Sequence, residues 1–405
     1  MRIAMVSEHA SPMAALGGVD AGGQNVHVAA LSAELAAAGH EVTVYTRRDD
    51  PTAPERVPLC PGVEVVHVPA GPTRSLPKDE LVPFMPAFGR WLAQDWSSRG
   101  APDVVHSHFW MSGLATLEAT ARVPVPVAHT YHALGSVKRR HQGAGDTSPP
   151  GRVLAEVDLG RRVDTVVATC TDEVSELRRL GVPDRHVRVV PCGVDMQQFT
   201  PLGPERPDRV PGRHRLLTIG RLVERKGVET AVEALAELPT AELLVAGGPT
   251  AEALDDDPEV RRLRDLATRL GVADRVRFLG AVDRAEMPAL IRSADVVVAT
   301  PWYEPFGIVP LEAAACGRPV VGSAVGGLLD TVRPEVTGLL VPPRDPAALT
   351  AALAGLLADP ERCHRFGRAA RRRAVTRYGW DRVAAATERA YEEIVHPVRL
   401  EEATA

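Results

Sequence analysis

Short apolar, β-branched runs recur along the chain, separated by longer Ala/Leu/Arg segments whose apolar positions return with a helical period. The first half carries RIAMV, EVTVYT, VEVVHV, DVVHSH, VPVAHT, DTVVAT and VRVVP. After the Pro- and Arg-rich stretch PCGVDMQQFTPLGPERPDRVPGRH the rhythm restarts with RLLTIG, ELLVAGG, RVRFLG, DVVVAT, RPVVGSA and GLLVPP. Strands alternating with helices at this spacing predict parallel sheets covered by helices on both faces. Two such rhythms predict an α/β chain of two Rossmann-like, doubly wound domains facing a cleft. The expected limits are 1–205 for the first domain and 206–380 for the second, with 381–405 as a C-terminal helix packing back on the first. Beyond Pro346 the pattern is helical, and Leu349, Leu353, Leu356 and Leu357 form one apolar stripe.

A length of 405 residues with 45% apolar content is enough for two cores. No run approaches the roughly 18 apolar residues that span a bilayer. The opening MRIAMVSEHA reads as a buried strand and lacks the basic and apolar regions of a signal peptide. Cys60, Cys170, Cys192, Cys316 and Cys363 are scattered without paired or metal-like spacing. Together these predict a cytoplasmic protein without a transmembrane segment. The formal net charge of -5 speaks against a nucleic-acid partner, and the arginines of RFGRAARRR read as the solvated face of an amphipathic helix. The only lysines are Lys78, Lys138 and Lys226. Nothing in the pattern bears on oligomeric state.

Open parallel sheets bind ligands beyond the carboxyl ends of their strands, so the loops after strands carry the candidate chemistry. After the first strand, Gly17-Gly18 and Gly22-Gly23 precede a helix predicted from near Gln24 to Gly39. Such glycines bring bare N–H groups close to an anion. The spacing is not that of a dinucleotide fingerprint. After the first strand of the second half, IGRLVERKG places Arg221 and Lys226 next to a helix start near Val228. A guanidinium fork and a compact ammonium suit a diphosphate.

The stretch SADVVVATPWYEPFGIVPLEAAACGRPVV reads as strand, loop, helix and strand, the helix running from Ile308 to near Cys316-Gly317. Glu304 precedes that helix and Glu312 lies inside it. The helix N-terminus offers N–H groups to an anion, while the carboxylates accept hydrogen bonds from hydroxyls of a ribose or a sugar ring. Dipole compensation accounts for one such acid more readily than for two. Asp255 to Asp257 read as acids at a helix start rather than as a metal site.

EPFGIVPLEA, together with GRLVERKG, the early Gly-Gly loop and HSHFWMSG, resembles the retaining nucleotide-sugar glycosyltransferases of family 4. The likeness is greatest to the branch of the inositol-phosphate N-acetylglucosaminyltransferases and sucrose-phosphate synthases. The resemblance runs over most of the chain and implies the two-domain GT-B fold and transfer of a hexosyl unit, glucose or N-acetylglucosamine, from a nucleotide sugar, with UDP the expected nucleotide. It also implies roles. Glu304 holds hydroxyls of the donor sugar, helped by the N–H groups of Phe306 and Gly307 at the start of the helix that Ile308 opens. Glu312 accepts the ribose hydroxyls, and Arg221 and Lys226 neutralise the diphosphate as the leaving charge develops. Gly18 and Gly23 approach the donor from the first domain, His132 lies near the reaction centre, and Arg277 falls where the family recognises the base.

On the acceptor side the sequence departs from the inositol-phosphate enzymes. Phe109 stands where they carry Tyr, and Ala133 where they carry Thr, so two phosphate-binding hydroxyls are missing. Lys78 and Arg152 keep cations there, and Lys138 adds charge with Arg139, Arg140 and His141. The implied acceptor is a small polar molecule: a cyclitol, aminocyclitol, sugar or sugar phosphate. Retention implies that the departing diphosphate oxygen can take the acceptor proton. The basic loop balances the diphosphate without a cation, so neither metal nor cofactor is expected and activity should survive a chelator. A nucleotide-sugar epimerase on the same fold and a non-catalytic sugar-nucleotide binding protein are the competing readings. Nucleoside diphosphate release only in the presence of acceptor separates them.

Overall fold

In the computed structural model, which describes residues 1–13 and 22–397, the first apolar run becomes a central strand. The strands of the first sheet are β1 (Arg2–Val6), β2 (Glu41–Arg47), β3 (Arg56–Cys60), β4 (Val63–Val68), β5 (Val104–His108), β6 (Val127–Thr130), β7 (Thr165–Ala168) and β8 (Val187–Val189). Their order across the sheet is β3-β4-β2-β1-β5-β6-β7-β8. Every pairing is parallel except β3 with β4. The thirteen apolar runs of the sequence omit β3. That strand lies at the sheet edge, holds Pro58, and its pairing slips in register between Pro58 and Cys60. An edge tolerates the missing N–H, and a half-exposed strand has no continuous apolar run to betray it.

Alternation along β1 shows how the sheet is covered. Ala4 and Val6 join a core with Phe88 and Leu92 of the helix Met85–Arg99 and with Met111 and Ala115 of the helix Trp110–Thr120. Ile3 and Met5 point the other way, toward Leu31 and Leu35 of the helix Gly23–Ala37 and toward Trp380, Val383 and Tyr391 of the helix Trp380–Val395. Burial on both faces is what a continuous apolar strand requires.

The second sheet contains β9 (His214–Ile219), β10 (Ala241–Ala246), β11 (Val276–Gly280), β12 (Val296–Ala299), β13 (Val320–Ser323) and β14 (Gly338–Val341). All are parallel, in the order β11-β10-β9-β12-β13-β14. Leu349, Leu353, Leu356 and Leu357 are buried against its Leu216, Val245 and Val298 face, the stripe read from the sequence.

By contacts the chain forms two units, Met1–Pro191 with Trp380–Ala405, and Cys192–Gly379. The segment 192–205, assigned from sequence to the first domain, thus belongs to the second. Cys192, Val194 and Phe199 are core residues of that unit, and the Arg371 guanidinium donates to the Phe199 carbonyl at 2.9 Å. Proline and arginine content marks a linker, but not which side it packs on. Among the described residues no helix is long and apolar enough to cross a membrane.

Candidate active site

Both sheets have a point where strand order reverses, between β1 and β5 and between β9 and β12. Loops leaving the two strands there diverge and open a crevice. In the second unit those loops are 220–227 and 300–307. They touch: Thr300 Oγ1 donates to the Gly227 carbonyl at 2.8 Å, and the Trp302 N–H to the Arg225 carbonyl at 2.8 Å. Gly227 has φ 65°, and a Cβ there would fall 2.0 Å from the Thr300 carbonyl oxygen, so only glycine allows the approach. The outcome is an ion pair between Lys226 Nζ and Glu304 Oε2.

Burial alone would raise the Glu304 carboxyl. The Lys226 charge and hydrogen bond, the Arg225 charge and the Phe306 N–H outweigh that and hold it below the usual glutamate range. The loop is braced from the turn after β13, where the Gly327 N–H donates to the Glu304 carbonyl at 2.8 Å. A Cβ on Gly326 would lie 2.1 Å from that same oxygen. Gly307, at φ 74°, caps the helix Ile308–Ala315, whose start is therefore next to the paired charges. Arg221 is exposed in the same loop as Lys226. The structure thus brings Arg221, Lys226, Glu304, Phe306, Gly307 and Ile308 to one strand-end region.

Glu312, one helix turn and more along, is buried and accepts from Arg284 Nη1 at 2.9 Å. Burial lifts its carboxyl above the usual range, partly offset by Arg284. Arg277 is held by an ion pair. It occupies the second position of β11, and its Nη2 donates to Asp208 Oδ2 at 2.6 Å. Asp208 precedes β9 and also receives Arg206 at 2.9 Å and Arg215 at 3.1 Å. The Arg277 side chain therefore joins an ion cluster around Asp208.

In the first unit, the loops after β1, β5 and β6 meet. Phe109 follows β5 with φ 78° and ψ 150°, and His132 follows β6 with φ 59°. Both are conformations in which side chains other than glycine are strained, a cost that surrounding contacts must hold in place. His132 is the middle of a three-residue turn closed by the Ala133 N–H on the Tyr131 carbonyl at 2.7 Å. Arg152 Nη2 donates to the Ala133 carbonyl at 2.6 Å, and Arg152 Nε to Glu156 Oε1 at 2.7 Å. Glu156 in turn accepts the Gly135 N–H at 2.8 Å. An almost fully buried ion pair therefore pins the histidine turn.

Two of the other acceptor candidates converge on Phe109. Lys78 Nζ lies 5.4 Å and the Arg152 guanidinium 5.0 Å from the centre of its ring. Lys138 is linked to Arg152 through Ser148, which it bonds at 3.0 Å, and pairs with Asp146 at 3.0 Å. Gly23 opens the helix whose Gln24 Nε2 donates to the His108 carbonyl at 3.3 Å and to Ser7 Oγ at 3.1 Å. Gly18 lies outside the described residues.

Several partners escape sequence reading. Arg225 and Arg284 flank the glutamates, and buried Glu8 binds His9 at 2.6 Å, the His9 ring standing 5.0 Å from Phe109. Their one signal is position just after a strand. His27, His106, His108, His129 and His132 are all buried, and desolvation keeps each neutral, with His27 lowered to about 4 and His129 to about 3. Among the described residues no group of three or more His, Cys, Asp or Glu is placed to hold a metal ion.

Residues 21–198 match the family model described as Glycosyltransferase Family 4, and residues 204–373 the one described as Glycosyl transferases group 1. The chain is 41% identical over 404 residues to the D-inositol 3-phosphate glycosyltransferase of Xylanimonas cellulosilytica, with 95% of each chain covered. It is 37% identical over 428 residues to the one of Streptomyces coelicolor, covering 98% of this chain and 93% of that protein. The sucrose-phosphate synthase of Thermosynechococcus elongatus superposes with a TM-score of 0.89 at 34% identity, over 97% of this chain and 98% of that one. Anabaena HepE, at 20% identity and a TM-score of 0.72, covering 96% of this chain and 98% of that one, shares the fold. With near-complete coverage at this identity, the chain belongs to the group 1 glycosyltransferases of family 4, retaining hexosyltransferases built as two parallel-sheet Rossmann-like domains in the GT-B fold.

Proposed function

We propose that this enzyme moves a hexosyl unit from a UDP-linked sugar to a hydroxyl of a small phosphate-bearing polyol, a cyclitol or a sugar. The observation that carries the donor half is the Lys226–Glu304 pair at the start of the helix Ile308–Ala315. A cation held next to free helix N–H groups is a ready counter-charge for a diphosphate. When the diphosphate arrives, Lys226 gains a second anion and Glu304 turns to the sugar hydroxyls. Glu312 takes the ribose hydroxyls, and Arg221 shares the leaving charge. The second unit is the donor domain and the first the acceptor domain.

The acceptor half rests on Lys78 and Arg152 converging on Phe109 at the start of the helix Trp110–Thr120. Two cations and a helix N-terminus favour an anionic group. The named relatives also point to phosphate, one acting on D-inositol 3-phosphate and another forming a sucrose phosphate. Arg152 is already balanced by Glu156, so Lys78 carries the larger share of the acceptor charge. His132 faces the sugar at the reaction centre.

The test is UDP release from UDP-glucose and UDP-N-acetylglucosamine with inositol phosphate, hexose phosphates, aminocyclitols and the dephosphorylated forms. Turnover with phosphorylated acceptors at least tenfold above their dephosphorylated forms is the expected outcome. Preference for an unphosphorylated acceptor sinks the acceptor assignment. EDTA should leave turnover unchanged.

A further inference from the structure

The backbone at His132 is strained, so contacts from outside the turn have to hold it. Glu156, on the helix Arg152–Arg162, meets that turn at both ends. The Tyr131 hydroxyl donates to the Glu156 carbonyl at 2.6 Å, and the Gly135 N–H lies 2.8 Å and 3.0 Å from the two oxygens of the Glu156 carboxylate. The middle is held through Arg152, whose Nε donates to Glu156 Oε1 at 2.7 Å while its Nη2 donates to the Ala133 carbonyl at 2.6 Å. One residue therefore reaches the start, the middle and the end of the segment 131–135.

The chemistry of the clamp calls for a carboxylate. Two donors, the Gly135 N–H and the Arg152 Nε–H, converge on it, and an ionised acid accepts at both oxygens. A glutamine there offers one carbonyl oxygen and turns an N–H of its own toward one of the donors. The Arg152 and Glu156 side chains are 3% and 0% exposed, so bulk solvent does not replace a lost partner. Burial lifts the Glu156 carboxyl, and the Arg152 charge and the Gly135 N–H pull against that. Space is tight as well: a Cβ on Gly135 would fall 3.0 Å from Arg152 Cδ and Nε, so the arginine stem lies directly on the turn. A buried ion pair adds little to net stability, because desolvation offsets the attraction. What this one supplies is a fixed geometry.

We infer that Glu156 is a positioning residue of the transfer reaction, clamping the 131–135 turn so that His132 is held where the sugar reacts. The catalytic half of this rests on the function proposed above, which sets His132 at the sugar; the clamp itself does not. Arg152 is also one of the two cations converging on Phe109, so the clamp ties the acceptor side to the His132 turn. The bonds to Tyr131 and Gly135 bypass Arg152, and through them Glu156 acts on turnover more than on acceptor affinity.

Two measurements on the full chain test it. Hydrogen exchange over residues 131–136 should be faster in Glu156→Gln than in the parent by about tenfold or more, while β9 and β12 exchange as before. Unchanged exchange over 131–136 overturns the clamp. In steady-state UDP release, with the donor and acceptor of highest turnover among those named above, Glu156→Gln should lower kcat about 10- to 100-fold, the range that a misplacement of about 1 Å produces, with both KM values within about threefold. A raised acceptor KM with kcat retained overturns the positioning role, because Glu156 would then act through Arg152 alone. Tyr131→Phe leaves the buried charges in place and removes one bond to Glu156. It should lower kcat about threefold to tenfold with the melting temperature near the parent's, and it decides the matter if Glu156→Gln does not fold. Faster exchange with parental kinetics in both variants would instead overturn the reading of His132 at the sugar and leave the clamp standing.

Discussion

At the ends of β9 and β12 polar groups meet as ions, Lys226 with Glu304, whereas at the ends of β5 and β6 they meet as neutral rings, His108 with His132. The ion pair can be handed over to a charged ligand, because each member keeps its charge whatever partner it has. The imidazoles cannot do this. Burial removes their charge, so what they contribute is direction, held by strained backbone at Phe109 and His132. One switch point stores countercharge and the other stores geometry.

Acid should separate the two most sharply. His27, His106, His108, His129 and His132 are buried in their neutral forms, with folded pKa values below the ordinary 6.5. Below about pH 6.5 the unfolded chain binds these protons and the folded first unit does not. Stability is therefore fully present above that pH and lost as pH falls, at roughly 1.4 kcal/mol per pH unit for each histidine, down to about 4 for His27 and about 3 for His129. In the second unit Glu304 and Asp208 lie below the usual carboxylate range and stay charged between pH 7 and pH 5. Hydrogen exchange at pH 7 and pH 5 should show protection lost first in strands β5 to β7. Parallel loss in β9 and β12 would break the contrast.

Within the ionic site, Lys226→Ala and Glu304→Gln should each cut kcat by about 100- to 1000-fold, the scale of one transition-state contact, with donor KM little changed. Steady-state UDP release measures this. Glu312→Gln should act differently, raising donor KM about tenfold while kcat is retained. Since burial lifts the Glu312 carboxyl, the folded state holds its proton more tightly than the unfolded state, and the parent loses stability as pH rises past the ordinary glutamate range. The Gln variant escapes that loss and should melt at or above the parent at pH 7. Indistinguishable kinetics for the two glutamine variants would erase the division between sugar and ribose.

The smallest effect concerns the neutral side. Phe109→Tyr adds a hydroxyl between the Lys78 and Arg152 cations and should lower KM for a phosphorylated acceptor about threefold to tenfold. An unchanged KM would mean that the phosphate does not lie against this ring.

The site was half legible. Helix starts at Val228 and Ile308, and the Glu304 and Glu312 placements relative to the helix, follow from local spacing, because capping and helical period are decided within a turn or two. Arg277, which the family resemblance assigned to base recognition, pairs with Asp208, 69 residues away in the chain, a contact that no local pattern announces. The histidine stack left no mark beyond two histidine-paired strand ends, HSH and HTYH, because nothing in a linear pattern states which strands become neighbours.

Alternation of short apolar runs with amphipathic segments was enough to determine two parallel sheets, and the glutamate motif with the basic loop, through its resemblance to the family 4 glycosyltransferases, indicated the kind of chemistry. Both are short-range properties of the chain. Which side the 192–205 segment joins, that β3 forms an edge, that Lys226 reaches Glu304 across a strand-order reversal, and that His108 stacks on His132 were decided only by tertiary structure. Those depend on burial and on contacts between residues far apart in sequence, whose energies exist only once the sheets have assembled.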